Sequence, residues 1–141
     1  MMSIKSHGAF DYLIGAILLI APWLFGLGDI PLARDILFGS GLVLIAYSLL
    51  TRYPYGALKF IPTSVHLVLD GIMGVFLIIA PVLFRFQESL THGQFSLFVL
   101  LGMSTLALVA LTTPLMIESK PELQAAQAYS PERNLSGQTR A

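Results

Sequence analysis

The sequence predicts an all-α integral membrane protein: four transmembrane helices, arranged as two parallel tandem helical-hairpin repeats and followed by a disordered polar C-terminal tail. Three observations predict it. Apolar residues make up 55 % of the 141 residues and charged residues 11 %, with a mean hydropathy of +0.77. Soluble domains carry about 25 % charged residues, so this chain has too little polar surface to cover itself in water. Charge-free runs at Tyr12–Gly28, Ile36–Thr51, Gly71–Phe84 and Ser89–Ile117 match or approach the ~20 apolar residues that cross a bilayer as a helix. Finally, the stretch HGAFDYLIGAILLIAPWLFGL from His7 recurs as HLVLDGIMGVFLIIAPVLFRF from His66.

Helix one is expected at 8–27, with Ser6 placed to cap it. A signal peptide would fit Lys5 ahead of an apolar stretch, but Asp11 interrupts that stretch and the segment recurs in mid-chain, so it reads as a retained span. Helix two is expected at 32–51 behind Pro31, which at a first helical position loses no intrahelical bond. Helix three is expected at 64–85, behind Pro62 and a capping Thr63, and helix four at 94–116. The membrane domain is thus 1–117, with repeat one at 7–51 and repeat two at 66–112. Residues 118–141 turn polar, include two prolines and lack a long apolar face, which predicts a disordered cytoplasmic tail.

Nine of the 21 positions of the repeated stretch are identical. Six of these (His7, Asp11, Gly15, Leu18, Pro22 and Phe25, with His66, Asp70, Gly74, Leu77, Pro81 and Phe84) fall within an arc of about 80° on one helix face. Hydrophobicity alone would scatter the identities, so the stripe is expected to face protein. His and Asp stand at one end, Gly one turn deeper and Pro about 16 Å beyond Asp. Gly15 and Gly74 are read as helix-packing positions, expected to bring helices one and three together or to let them line the interior jointly. Pro22 and Pro81 remove the bonds to the Leu18 and Leu77 carbonyls and are read as kinks. Trp23 is read as an outer-interface anchor, and Tyr47, Tyr53 and Tyr55 as residues of the cytoplasmic interface. A weaker match at a shift of 61 pairs Gly41 with Gly102, Ala46 with Ala107, and Leu50–Thr51 with Leu111–Thr112.

An even number of spans per repeat makes the repeats parallel, related by an axis along the membrane normal. Lys5, Arg52, Lys59, Lys120, Arg133 and Arg140 lie on one side and only Arg34 and Arg85 on the other. The positive-inside rule then places both termini in the cytoplasm, even when the two distant tail arginines are set aside. Arg34 and Asp35 are expected to pair or snorkel at the outer interface.

The paired APWLFG and APVLFR motifs, each closing the first span of a two-span unit, resemble those of the SPW-repeat integral membrane proteins, whose name comes from a Ser-Pro-Trp near the end of the repeated helix. The resemblance covers about 7–117. Ala21 and Ala80 stand in place of the Ser, and Val82 in place of the second Trp. It implies a small bacterial four-span protein of the inner membrane, with no established biochemical activity.

Several function classes are excluded or weakened. Zero net charge offers no basic patch for nucleic acid, and the absence of cysteine removes disulfides and thiolate ligation. GSG at 39–41 and GLG at 26–28 lack the strand–turn–helix setting of a phosphate loop. Asp70-Gly71 resembles the opening of the alcohol-phosphotransferase motif, but its downstream aspartates are missing. No HExxH, Walker or Ser-His-Asp pattern occurs, so no enzymatic activity and no cofactor are expected. The His7/Asp11 and His66/Asp70 pairs form the candidate polar cluster, since ionisable residues in spans mark functional sites by default. Near helix starts, however, an Asp also suits the dipole. The leading expectation is a structural or accessory membrane module in contact with lipid, its partner being a second copy or another membrane protein. The alternatives are a proton- or cation-handling unit built on the two pairs and, less favoured, a metal site or a haem held between His7 and His66.

Overall fold

The computed structural model describes residues 2–52 and 54–128, with side chains through residue 112. It is all-helical: α1 (Ile4–Leu24), α2 (Pro31–Leu50), α3 (Thr63–Leu83), a single 3-10 turn at Gln87–Ser89, and α4 (His92–Ala128). α1, α2, α3 and the first 21 residues of α4 are each long and apolar enough to cross a membrane. α1 packs along α2 and α3 along α4, giving two hairpins; narrower seams join α2 to α3 and α1 to α4. That cyclic order leaves α1 and α3 on opposite corners of the bundle.

The helix starts differ from expectation in informative ways. Ser3, not Ser6, caps α1: its Oγ accepts the Ser6 amide at 3.2 Å. Pro62 precedes α3, and Thr63 is its first residue, donating its hydroxyl to the Arg52 carbonyl instead of capping. Pro31 opens α2 as expected from its missing amide. α4 begins two residues early because Thr91 and Gln94 form a reciprocal capping box, at 3.0 and 3.2 Å.

α4 also runs on through Ala128, eleven residues into the segment expected to be disordered. Extending an existing helix adds a hydrogen bond per residue without a new nucleus, and Glu, Leu, Gln and Ala in ELQAAQA are good helix formers. The rest of the expected tail, 129–141, lies outside the described residues, as does Tyr53.

Each hairpin is closed by glycines. The Gly15 carbonyl lies 2.8 Å from where a Cβ on Gly41 would stand, and the Gly74 carbonyl 2.5 Å from where one on Gly102 would stand. Gly15 and Gly74 therefore bring α1 onto α2 and α3 onto α4, not α1 onto α3. Their partners, Gly41 and Gly102, are the glycines paired at a shift of 61. Backbone approach of this kind gives membrane helices the van der Waals contact that replaces a hydrophobic drive.

The two Pro-containing motifs end helices. Pro22 and Pro81 stand three residues before the C-caps Phe25 and Phe84, so a kink there would redirect only the last turn. Their own carbonyls accept the amides of Leu27 at 2.7 Å and Phe86 at 3.0 Å, the closing bond of a Schellman motif. The residue between the cap and the donating residue takes the left-handed conformation: Gly26 at φ 65° in the first repeat, Arg85 at φ 58° in the second. Leu27 and Phe86 then turn inward and are buried. Gln94, in the first turn of α4, ties that helix to the turn after α1 by donating to the Phe25 and Gly26 carbonyls at 2.9 and 3.2 Å.

At the opposite end the middle loop folds back on α2, and the Phe60 and Ile61 amides donate to the Leu50 carbonyl at 2.7 and 2.8 Å. The Met2 amide does the same for Leu111 at 3.3 Å. The Leu50 carbonyl ends α2, where such partners are needed, whereas Leu111 lies within α4.

Two stability outcomes follow. Gly41→Ala and Gly102→Ala push a methyl against a backbone carbonyl and should each cost about 1–3 kcal/mol. Gly39→Ala and Gly71→Ala, with nothing within 4 Å of the added Cβ, should be neutral or stabilising by up to about 1 kcal/mol. Thermal unfolding in detergent checks this, and equal effects at all four sites would refute the close-packing reading. By the same measurement Arg85→Gly should raise the midpoint and Gly26→Ala lower it, since a left-handed non-glycine residue costs about 1–2 kcal/mol.

Candidate functional site: a buried His–Asp cluster

Because α1 starts at Ile4 and α3 at Thr63, His7 and His66 are each the fourth residue of a helix, with Asp11 and Asp70 one turn further on the same face. The stripes turn inward: His7, Asp11, His66 and Asp70 retain 2, 2, 0 and 1 % of their exposure, and Gly15, Leu18, Pro22, Gly74, Leu77 and Pro81 are likewise buried. Phe25 and Phe84, which lie past the helix ends, are exposed. Trp23 is 61 % exposed beside Phe38, the rings edge to face at 5.7 Å.

The four ionisable side chains meet as one group, and the pairing crosses between repeats. His7 Nε2 lies 3.0 Å from Asp70 Oδ2, and His66 Nε2 lies 3.0 Å from Asp11 Oδ2. The contacts within each helix are no shorter, at 3.4 Å for His7–Asp11 and 3.1 Å for His66–Asp70. The diagonal between α1 and α3 is thus bridged by side chains, which is why the glycines do not meet there.

Sequence reasoning passed over three further members. Thr112 Oγ1 lies 2.9 Å from His7 Nδ1, and Thr51 Oγ1 lies 2.9 Å from His66 Nδ1. These are the threonines of the Leu50–Thr51 and Leu111–Thr112 match, the signal that could have found them. The third is Tyr47, whose hydroxyl donates to Asp70 Oδ1 at 2.6 Å. Tyr47 is 7 % exposed, so it belongs to the cluster and not to the interface expected for it, while Tyr55 is exposed. A shift of 61 places Leu108 opposite Tyr47; the two aspartates are therefore not equivalent.

Hydrogen-bond inventory fixes most of the protons. Each threonine hydroxyl has one hydrogen, donated to the carbonyl four residues back, Tyr47 at 2.7 Å and Leu108 at 2.8 Å. Each must therefore accept from its histidine, which makes Nδ1 an N–H donor on both rings. Both Nε2 atoms then face carboxylate oxygens, and each Nε2 shares one proton with them. The proton sits either on an imidazolium opposite a carboxylate or on a carboxylic acid opposite a neutral imidazole. In either form two histidines, two aspartates and two shared protons sum to zero charge, the state a water-poor interior favours.

A haem between the two histidines does not fit this packing. The rings stand 5.7 Å apart at 72°, and the aspartate oxygens 3.0–3.4 Å from their Nε2 atoms occupy the space between them.

No curated protein and no solved structure matches the chain. The family model of the SPW repeat domain matches residues 5–118, a span that takes in both hairpins and every member of the cluster, and the chain belongs to the SPW-repeat family.

Proposed function

We propose that this protein is a non-enzymatic module of the bacterial inner membrane, in which the His–Asp cluster is a clasp that locks two helical hairpins into one bundle. The observation that carries the reading is that every ring nitrogen of the cluster has a partner inside the protein while the group is sealed from solvent. Toward the proline end the same stripes continue as Gly15, Leu18 and Ala21 and as Gly74, Leu77 and Ala80, all buried. That part of the two stripes carries no ionisable side chain, which favours a clasp over a conducting unit. The lipid-facing surface, with Phe10, Leu13, Val68 and Ile72 exposed, is where a second copy or another membrane protein would pack.

Both termini and the cluster are placed on the cytoplasmic side by the Lys/Arg bias. The natural absence of cysteine makes this simple to check. In intact cells a membrane-impermeant maleimide should label Glu88→Cys in the outer loop and leave Leu58→Cys in the middle loop unlabelled. The reverse pattern would invert the topology.

The clasp itself is tested by stability and flux measured together. Thr51→Val and Thr112→Val each leave a buried imidazole N–H without an acceptor and should cost about 1–3 kcal/mol. Tyr47→Phe removes a hydrogen bond to a carboxyl group and should cost about 1.5–3 kcal/mol. Purified wild-type protein in liposomes should pass no more protons or cations than empty vesicles between pH 5 and 8. A flux that Asp70→Asn abolishes without changing the thermal midpoint would replace the clasp by a conductor.

A further inference from the structure

We infer that the clasp is also a metal site: the four donors of His7, Asp11, His66 and Asp70 converge to bind one divalent first-row transition cation of the zinc type. This rests on the clasp reading and gives it a ligand. The first observation is the shape of the donor set. One ligand atom from each residue can be chosen so that all lie within 4.8 Å of one another. The shortest N···O separations are 3.0, 3.0, 3.1 and 3.4 Å, the last to the second oxygen of Asp11. A tetrahedral ion with bonds of ~2.0–2.1 Å has ligands about 3.3 Å apart, so the hydrogen-bonded contacts already have the length of coordination-shell edges, and closing the wider separations completes the shell.

The second observation is independent of the donors themselves. Histidines that ligate metal hold their other nitrogen in a hydrogen bond, and ligating carboxylates are themselves bonded. Here Thr112 and Thr51 accept from the two Nδ1–H groups, and Tyr47 donates to Asp70. Both Nε2 lone pairs are thereby aimed at the centre. The charge also balances. Two neutral imidazoles, two carboxylates and a dication sum to zero, so the ion replaces the two shared protons without leaving net charge in the bundle.

Two imidazoles and two carboxylates suit zinc, iron or manganese better than the thiolate-loving cations or the all-oxygen Mg²⁺ and Ca²⁺. Four protein ligands, buried to 2 % exposure or less, leave no open coordination position, which marks a structural site rather than a catalytic one.

The test uses full-length protein purified in detergent, stripped with chelator, loaded with Zn²⁺ or Co²⁺ and desalted. About one ion per chain is expected, with a raised thermal midpoint. The Co²⁺ form should show the intense visible bands of four-coordinate cobalt. His92→Ala, which removes the exposed histidine outside the cluster, should behave as wild type. Asp11→Asn should retain no metal. Should that variant fail to fold, Thr51→Val supplies the measurement, with an affinity loss of about 10–100-fold. A wild-type protein that takes up no ion, an unchanged stoichiometry in folded Asp11→Asn, or only the pale spectrum of six-coordinate cobalt overturns the site. If metal is absent while Thr51→Val and Tyr47→Phe still lower the midpoint, the site fails and the clasp stands. If those variants leave the midpoint of metal-free protein unchanged, the hydrogen-bonded clasp fails.

Discussion

Two imidazoles and two carboxylates withdrawn from water at one level of an apolar bundle dictate much of what surrounds them. An unpaired charge or polar group there is costly, and each aspartate is shared between the histidine of its own helix and that of the other. The two repeats must therefore enter at the same depth and in the same direction. α1 and α3 are held to one relative height by the reach of an aspartate, and α2 and α4 must bring Thr51 and Thr112 to the level of the rings. Removing one partner of such a group strands the others, so its members stand or fall together.

A division of labour between contacts results. Within each hairpin, close approach of glycine backbones provides dispersion contact that lipid cannot outcompete. Between the hairpins, where the seams are narrower, the polar group supplies the specificity that apolar surfaces lack. The helix ends follow a parallel logic: a Pro-x-Leu-Phe motif terminates the inward-facing helix and turns Leu27 or Phe86 back into the core. The family motif thus has a local physical meaning as a helix stop.

Span count and the inward stripe could be read from the sequence because helical periodicity and a duplicated pattern report directly on a helix face. What a face meets could not. Gly15 is a packing glycine on either reading, and only the fold shows that Gly41 receives it. The crossed pairing of His7 with Asp70 is hidden for the same reason, since a spacing of four points to a neighbour on the same helix. Tyr47 was misplaced because an aromatic near a span end ordinarily marks the interface. The threonines carried a signal, the doublet Leu-Thr at matching positions, too short to stand out beside an apolar repeat. Helix caps were missed where two candidates lie three residues apart, as with Ser3 and Ser6, and the capping box at Thr91–Gln94 was there to be read.

The amide of Met2 on the Leu111 carbonyl and the amide of Ile61 on the Leu50 carbonyl are the same contact in the two halves. The start of the chain therefore does for the second hairpin what the connecting loop does for the first. Nothing in the clasp requires the halves to be covalently joined. A lone hairpin could meet a copy of itself about the same axis, and a chain whose connecting loop swung outward could exchange halves with a neighbour to form two complete clasps. Tyr47 opposite Leu108 makes the two halves unlike at this level and gives a nearly symmetric centre a preferred side.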